Sequence, residues 1–342
     1  MDVLDTHYAV TPDGVYIAYQ IMGDGPIDVV WQLDWPGNID MAREDPLLGL
    51  WFEELASFAR LILHDRRGVG LSSRNVPPPN LETRVSDLLL VLDAVGSEHP
   101  VLTGIFESGA PNALLAATGP ERVQSMVWVA PQPRCAWAPD YPWGARPEDM
   151  EAELRVTTDL WGTLAFGRWY VQEQASRDNE MPDSEAALVA KTTRNACTPD
   201  VAGDLSRIWY ETDVRGVLSA VNVPTLILAP PSRVDDFGRA THVASLIPGA
   251  ELQETSGRVG SEEEASAIAE QLRRFVGVER VPAELDTILS TVLFTDIVDS
   301  TQKQSSLGDH GWKQLIERHH TLVREVLKRW RGVEIDTAGD GF

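Results

Sequence analysis

The stretch HPVLTGIFESGAPNALLAAT (residues 99–118) contains a complete change of structure. Its first half, HPVLTGIF, is a short apolar run of the kind that forms a buried strand. Its second half, APNALLAAT, has helical spacing. Between them the chain has only a few residues in which to turn, so the strand must pass almost directly into the helix. A strand feeding a helix is half of a βαβ unit and predicts a parallel sheet.

The same alternation extends in both directions. Upstream, NLETRVSDLLLVLDAVG (80–96) is a helix with an apolar stripe and a glycine stop. RLILHD (60–65) reads as a buried parallel strand, and WFEELASFA (51–59) has helical periodicity. YAVTPDGVYIAYQIM (8–22), with its PDG turn, and IDVVWQL (27–33) read as strands. Downstream, VQSMVWVAP (123–131) and VPTLILAP (223–230) are strands. RATHVASLIPG (239–249) is a helix, AELQET (250–255) a strand, and SEEEASAIAEQLRRFVG (261–277) an amphipathic helix, acidic in its first turn and basic in its last. Residues 134–215 interrupt the pattern. They are helical and hold five of the eleven tryptophans: Trp137, Trp143, Trp161, Trp169 and Trp209. The expectation is an α/β domain over 1–277 with a helical lid at about 134–215.

Composition narrows the function. The chain has 342 residues, 43% hydrophobic and 24% charged, with a net charge of −23. An acidic surface repels phosphate backbones, so a nucleic-acid partner is not expected. Two cysteines far apart, Cys135 and Cys197, make neither a disulfide framework nor a metal spacing. The start, MDVLDTHYAV, lacks the basic and apolar regions of a signal peptide. No apolar run approaches the roughly 20 residues of a membrane span. A cytoplasmic protein without a membrane partner is expected.

HDRRGVGLS (64–72) looks like the D-x-R-G-x-G-x-S turn of the α/β-hydrolase family. With the strand–turn–helix at 99–118, PERVQSMVWVAP and VPTLILAP, it makes the first ~275 residues resemble that family. The resemblance implies a nucleophile elbow, an acid after VPTLILAPP and a histidine after AELQETSG. Here those positions read Phe106, Ser232 and Gly260. Phenylalanine neither attacks nor carries a proton, so hydrolysis is not expected of this domain. Ser108, beside Glu107, is an alternative nucleophile, and Asp235 or Asp236 an alternative acid. Two readings of the elbow remain open: packing alone, or a pocket for a small apolar ligand under the tryptophan-rich lid.

After a linker (278–288), TVLFTDIVDST (291–301) and GVEIDTAGDGF (332–342) flank a helical stretch, GDHGWKQLIERHHTLVREVLKRW (308–330). Residues 289–342 resemble the start of a class III adenylate/guanylate cyclase catalytic domain. The resemblance implies the first βαβ portion of a ferredoxin-like fold. It implies two Mg²⁺ or Mn²⁺ ions on Asp296, the Ile297 carbonyl and Asp340, ATP or GTP as substrate, and a homodimer. Asp336 occupies the base-reading position, where adenine-selective members carry lysine. Most of that domain is missing from this chain, so the chain itself is expected to be inactive as a cyclase. The functional expectation is therefore a nucleotide cyclase with a non-catalytic hydrolase-like sensing domain. The alternatives are an esterase-like hydrolase with an atypical triad, or a ligand-binding protein without catalysis. His319 and His320 are adjacent rather than four apart, so no metal role is expected of them.

Overall fold

The computed structural model describes residues 4–174, 183–255, 261–278 and 297–330. The chain divides into two compact units, Met1–Glu279 and Arg280–Phe342.

The first unit is built on one eight-stranded sheet. Its strands are β1 (His7–Val10), β2 (Tyr16–Met22), β3 (Asp28–Gln32), β4 (Arg60–His64), β5 (Val101–Ile105), β6 (Ser125–Val129), β7 (Thr225–Ala229) and β8 (Glu251–Glu254). They lie in the order β1-β2-β4-β3-β5-β6-β7-β8. β2 runs antiparallel to its neighbours β1 and β4, and every other pairing is parallel. This is the sheet of an α/β-hydrolase fold.

The two faces of the sheet follow from side-chain alternation. Val30, Ile62, Leu102, Trp128 and Ile227 point to one side. They pack there against helices α3 (Leu81–Val95) and α4 (Ala110–Thr118) and a later helix, Val234–Leu246. Val29, Trp31, Leu63, Val127 and Leu228 point to the other side, onto α1 (Ile39–Ala42), α2 (Pro46–Ala56) and the helix Glu262–Phe275. Parallel strands covered on both faces read as continuous apolar runs, and RLILH and TLILA do so. Local signals fix the ends of α3. The Asn80 side chain accepts from the Thr83 N–H at 2.8 Å, and Gly96 closes the helix at φ 68°.

Between β6 and β7 the chain forms four helices: α5 (Pro147–Leu160), α6 (Leu164–Gln174), α7 (Asp183–Ala196) and α8 (Pro199–Glu211). They share a small core of their own containing Trp161, Phe166, Cys197 and Leu205, with Val69 from the DRRGVGLS turn and Trp35 from the loop after β3. Trp35 and Trp161 stack face to face, 5.1 Å apart and 9° from parallel. The remaining helices of the first unit are α9 (Val234–Leu246) and α10 (Glu262–Phe275).

Tight approaches lock the turn after β5. A Cβ on Gly104 would sit 2.8 Å from the Gly109 backbone, and one on Gly109 would collide with the Trp128 indole. That indole donates to the Phe106 carbonyl at 2.5 Å, so Gly109 must stay small for the bond to form. Gly109→Ala is expected to destabilise the fold by about 1–3 kcal/mol, the usual penalty of overpacking. Urea denaturation followed by tryptophan emission measures it, and an unchanged midpoint would refute it.

In the second unit the described residues form α11 (Ser300–Trp330), two helical segments that meet at Gly308. The helix expected over 308–330 is the second of them, and a further helical segment from Ser300 precedes it. Gly308 itself breaks the helix with φ 66° and ψ 170°, a conformation that glycine adopts without strain. No strand of a ferredoxin-like portion lies among the described residues. The motif aspartates Asp296, Asp336 and Asp340 fall outside them, as does Gly260.

Candidate functional site

The elbow keeps its shape and has lost its nucleophile. Phe106 holds φ at 50°, the left-handed conformation in which the hydrolase fold presents its attacking residue. For a bulky side chain that conformation is strained, and here a phenyl ring occupies it, half-buried against the core on the α1, α2 and α10 side of the sheet. Ser108 does not replace the missing hydroxyl. It is fully buried, donates to the Ile105 carbonyl at 2.6 Å and accepts from the Ile105 N–H at 2.9 Å. Its Oγ is consumed in closing the 3₁₀ turn Phe106–Gly109.

The acid position is also altered. Ser232 is exposed in the turn after β7. Asp236, the alternative acid, is buried and paired with both Arg239 and Arg233, so its carboxylate is committed to an ion-pair cluster.

The polar chemistry of this sheet end lies on other residues. Glu107, next to the elbow, is wholly buried and paired with Arg84 of α3. The motif turn 64–72 is held by Asp65, whose two carboxylate oxygens accept from the Ile39 N–H at 2.7 Å and the Leu71 N–H at 2.8 Å. Arg67 forms a fork with Asp87, at 2.7 and 2.6 Å, and so ties the same turn to α3. Arg66 points elsewhere. It donates to the Leu33 carbonyl at 3.1 Å and lies 5.8 Å over the Trp35 ring. Burial, then the neighbouring Arg84, pull its guanidinium down to about 10, so it stays a cation at neutral pH.

Asp34 sits in the loop after β3. Its Oδ1 is buried and has no hydrogen-bond partner. Burial, reinforced by the charge of Glu107, pushes its carboxyl up to about 7. On the strand just before it, Gln32 pairs in register with His64 on one side and Gly104 on the other. The Gln32 Nε2 and both His64 nitrogens are buried without partners. Burial drives the His64 imidazole down to about 4, so it is neutral.

Two adjoining clefts lie at the carboxyl ends of the central strands, where α/β folds bind ligands, and Asp34 is next in sequence to Leu33 of their lining without lining them itself. One, open to solvent, is lined by Gln32, Leu33, Gly37, His64, Arg66, Arg84 and Asp87. The other, narrow like the first, adds Glu107, Pro79 and the α8 residues Leu205, Ile208 and Trp209. Arg66 and Arg84 line both. Reading by position singles out Phe106, Ser232 and Gly260. Asp34, Arg66 and the Arg84–Glu107 pair were not among its candidates, although an aspartate after the apolar run of β3 and a doubled arginine in DRRG were visible signals.

Among the described residues no group of three or more histidines, cysteines, aspartates and glutamates could hold a metal. Of the proposed ion ligands only Ile297 is described. It offers a backbone carbonyl, and its carboxylate partners lie outside the described residues. No described helix is long and apolar enough to cross a membrane.

No family model matches the chain. RutD of Azorhizobium caulinodans, named as a carbamate hydrolase, is 36% identical over 84 residues, 24% of this chain and 32% of RutD. The chain thus spans about a third of that relative's length. A 3-oxoadipate enol-lactonase of Acinetobacter baylyi is 26% identical over 213 residues, 60% of this chain and 71% of the enzyme. Among solved structures, a bromoperoxidase of Bacillus anthracis superposes with a TM-score of 0.67 at 23% identity, covering 80% of this chain and 99% of its own. The α/β-hydrolase fold is shown.

Two expectations are corrected by these comparisons. The nucleotide cyclase reading, with its lyase and cyclic-nucleotide signalling implications, has no support in them: the relatives are named for hydrolysis. The expectation that the hydrolase-like part does not hydrolyse also stands against relatives named for that reaction. A missing elbow serine excludes one nucleophile and not the reaction class.

Proposed function

We propose that this chain hydrolyses a small ester, lactone or carbamate without a covalent intermediate, with Asp34 as the general base. The observation that carries the reading is the unpartnered Oδ1 of Asp34 at the site end of β3; its carboxyl is pushed up to about 7, as is that of Asp65, whose oxygens are already taken by the Ile39 and Leu71 amides. A base poised near the working pH is what direct activation of water requires. The Asp34 carboxylate takes a proton from water as the water oxygen bonds to the carbonyl carbon. The Gln32 Nε2, a donor without an acceptor, stabilises the resulting oxyanion. The tetrahedral adduct then expels the alcohol or amine, which leaves with the proton returned by Asp34. The substrate class follows the names of the relatives, a carbamate hydrolase and an enol-lactonase.

The test is hydrolysis of short-chain p-nitrophenyl esters and simple lactones. Because Asp34 must be ionised to act, kcat is expected to rise with pH through about 7 and then level off. Asp34→Asn is expected to lower kcat by about 100-fold or more, the scale of general-base catalysis. Stability supplies a second readout. A carboxyl raised in the folded state favours folding most below the unfolded value of 3.8 and loses that contribution as pH climbs to about 7. Asp34→Asn should therefore flatten the stability profile between pH 4 and pH 7. Full activity in Asp34→Asn would refute the assignment.

One observation favours a second reading, binding without turnover: the elbow position is filled by the Phe106 ring. Tight ligand binding with no hydrolysis of any ester, lactone or carbamate would select it.

A further inference from the structure

The lining of the two clefts carries unused hydrogen-bonding capacity on Gln32, His64 and Trp209. Gln32 Nε2 lies in the first and Trp209 Nε1 in the second, both buried and without an acceptor. Gln32 is 6% exposed and belongs to the lining of the first cleft. The cations are in unequal states. Arg84 is neutralised by Glu107, and Arg67 by Asp87 and Asp13. Arg66 lines both clefts and is in no ion pair among the described residues, its one hydrogen bond going to the Leu33 carbonyl. Glu107 and Asp34 are near enough to act on its charge, but neither is hydrogen-bonded to it among the described residues. Around it the lining is mixed: Gln32, His64, Arg84, Asp87 and Glu107 are polar or charged, and Leu33, Pro79, Leu205 and Ile208 supply the apolar part.

We propose that Arg66 is a specificity residue that holds a carboxylate on the substrate, the apolar body of which lies along Leu205, Ile208 and Trp209. The proposal rests on the reading of this cleft as the hydrolytic site and names its substrate class: an ester, lactone or carbamate that carries a separate carboxylate. A guanidinium matches a carboxylate through two parallel N–H bonds, and the Gln32 and Trp209 N–H groups are further spare donors for its oxygens. A phosphate dianion fits less well, because Asp34 and Glu107 lie close enough to Arg66 to shift its protonation and would repel the second charge. Arg66 also rests on Trp35, which limits its freedom and lowers the entropy lost when a ligand is gripped.

The experiment is a tryptophan-fluorescence titration of the full chain at pH 8 with phenylacetate and with phenylacetamide, the same body without the charge. Phenylacetate is expected to bind about tenfold or more tightly, the value of a charge-assisted pair. Arg66→Met should abolish that preference while leaving phenylacetamide binding unchanged, and Arg66→Lys should keep part of it. Equal binding of the two probes to the wild type overturns the proposal, and so does a preference that survives in folded Arg66→Met. Should Arg66→Met fail to fold, the wild-type ratio and Arg66→Lys decide. Turnover separates this idea from the one beneath it. A chain that prefers phenylacetate but hydrolyses nothing keeps carboxylate recognition and loses the hydrolytic reading. A chain that hydrolyses neutral esters and their carboxylate-bearing analogues with equal kcat/KM does the reverse.

Discussion

Arg84→Met is expected to destabilise the fold by about 3–5 kcal/mol, the cost of leaving a buried charge without its partner. Glu107 is 0% exposed, and Arg84 is its ion-pair partner. Methionine fills much of the arginine's volume, so packing is largely kept and the loss is electrostatic. At this chain length a deficit of that size lowers the melting temperature on the order of 10 °C. The control is the double variant Arg84→Met/Glu107→Met. Replacing both members of a buried pair with apolar groups is often neutral, so the second change should restore most of what the first removed. Urea melts of the wild type, the single and the double variants measure the cycle. A single variant as stable as the wild type would show that Glu107 is not held as a charge.

Asp65→Ala is expected to cost about 2–6 kcal/mol, the sum for two amides stranded at about 1–3 kcal/mol each. The Ile39 and Leu71 N–H groups both end on this carboxylate, at 2.7 and 2.8 Å. The first opens α1 and the second sits in the motif turn, so one side chain joins the loop after β3 to the loop after β4. Gly70, at φ 59°, approaches so closely that a Cβ there would collide with the Asp65 carboxylate. Alanine would leave a hole as well as two orphan donors. Asp65→Asn keeps the shape but has a single acceptor, and it should fall between the wild type and alanine. Hydrogen exchange at the Ile39 and Leu71 amides reads the effect locally. Protection unchanged in Asp65→Ala would mean that those amides had found other acceptors.

The fold was legible because its evidence is local and repeated. RLILH, VLTGI, SMVWV and TLILA are buried on both sides, so each announces itself as an apolar run. The motif turn 64–72 was legible for a similar reason: Asp65, Gly70 and Ser72 serve that loop's own geometry, with Ser72 Oγ donating to the Asp65 carbonyl at 2.8 Å. The site was not legible in the same way. Asp34 matters because a loop 73 residues ahead of Glu107 returns beside it, and no pattern along the chain carries that distance. Arg66 and Arg67 are neighbours with opposite fates, one paired to α3 and one facing the clefts. A side chain's direction decided which, and a motif has no direction. The loss of the elbow serine was readable, but it led the sequence reading to discount the reaction class that the relatives carry.

The left-handed turn at Phe106 has a consequence in the language of mutational paths. Gly104, Gly109 and the Trp128 indole hold that backbone, and none of them depends on what side chain stands at 106. The strained conformation is thus inherited with the sheet, whether or not it is used. Phenylalanine and serine codons of the TTY and TCY boxes differ by a single base. One transition would put a hydroxyl into a frame already bent to present it, with no remodelling of the main chain. What such a variant would still lack is a base, and the seven histidines of this chain include none in the segment after β8 where the fold supplies one. The acid position, Ser232, is altered as well, so recovery of a serine mechanism takes at least three changes, of which the first is short and, taken alone, neutral for catalysis. That leaves the elbow open to drift while the polar groups around Asp34 and Arg66 are the ones on which selection can act.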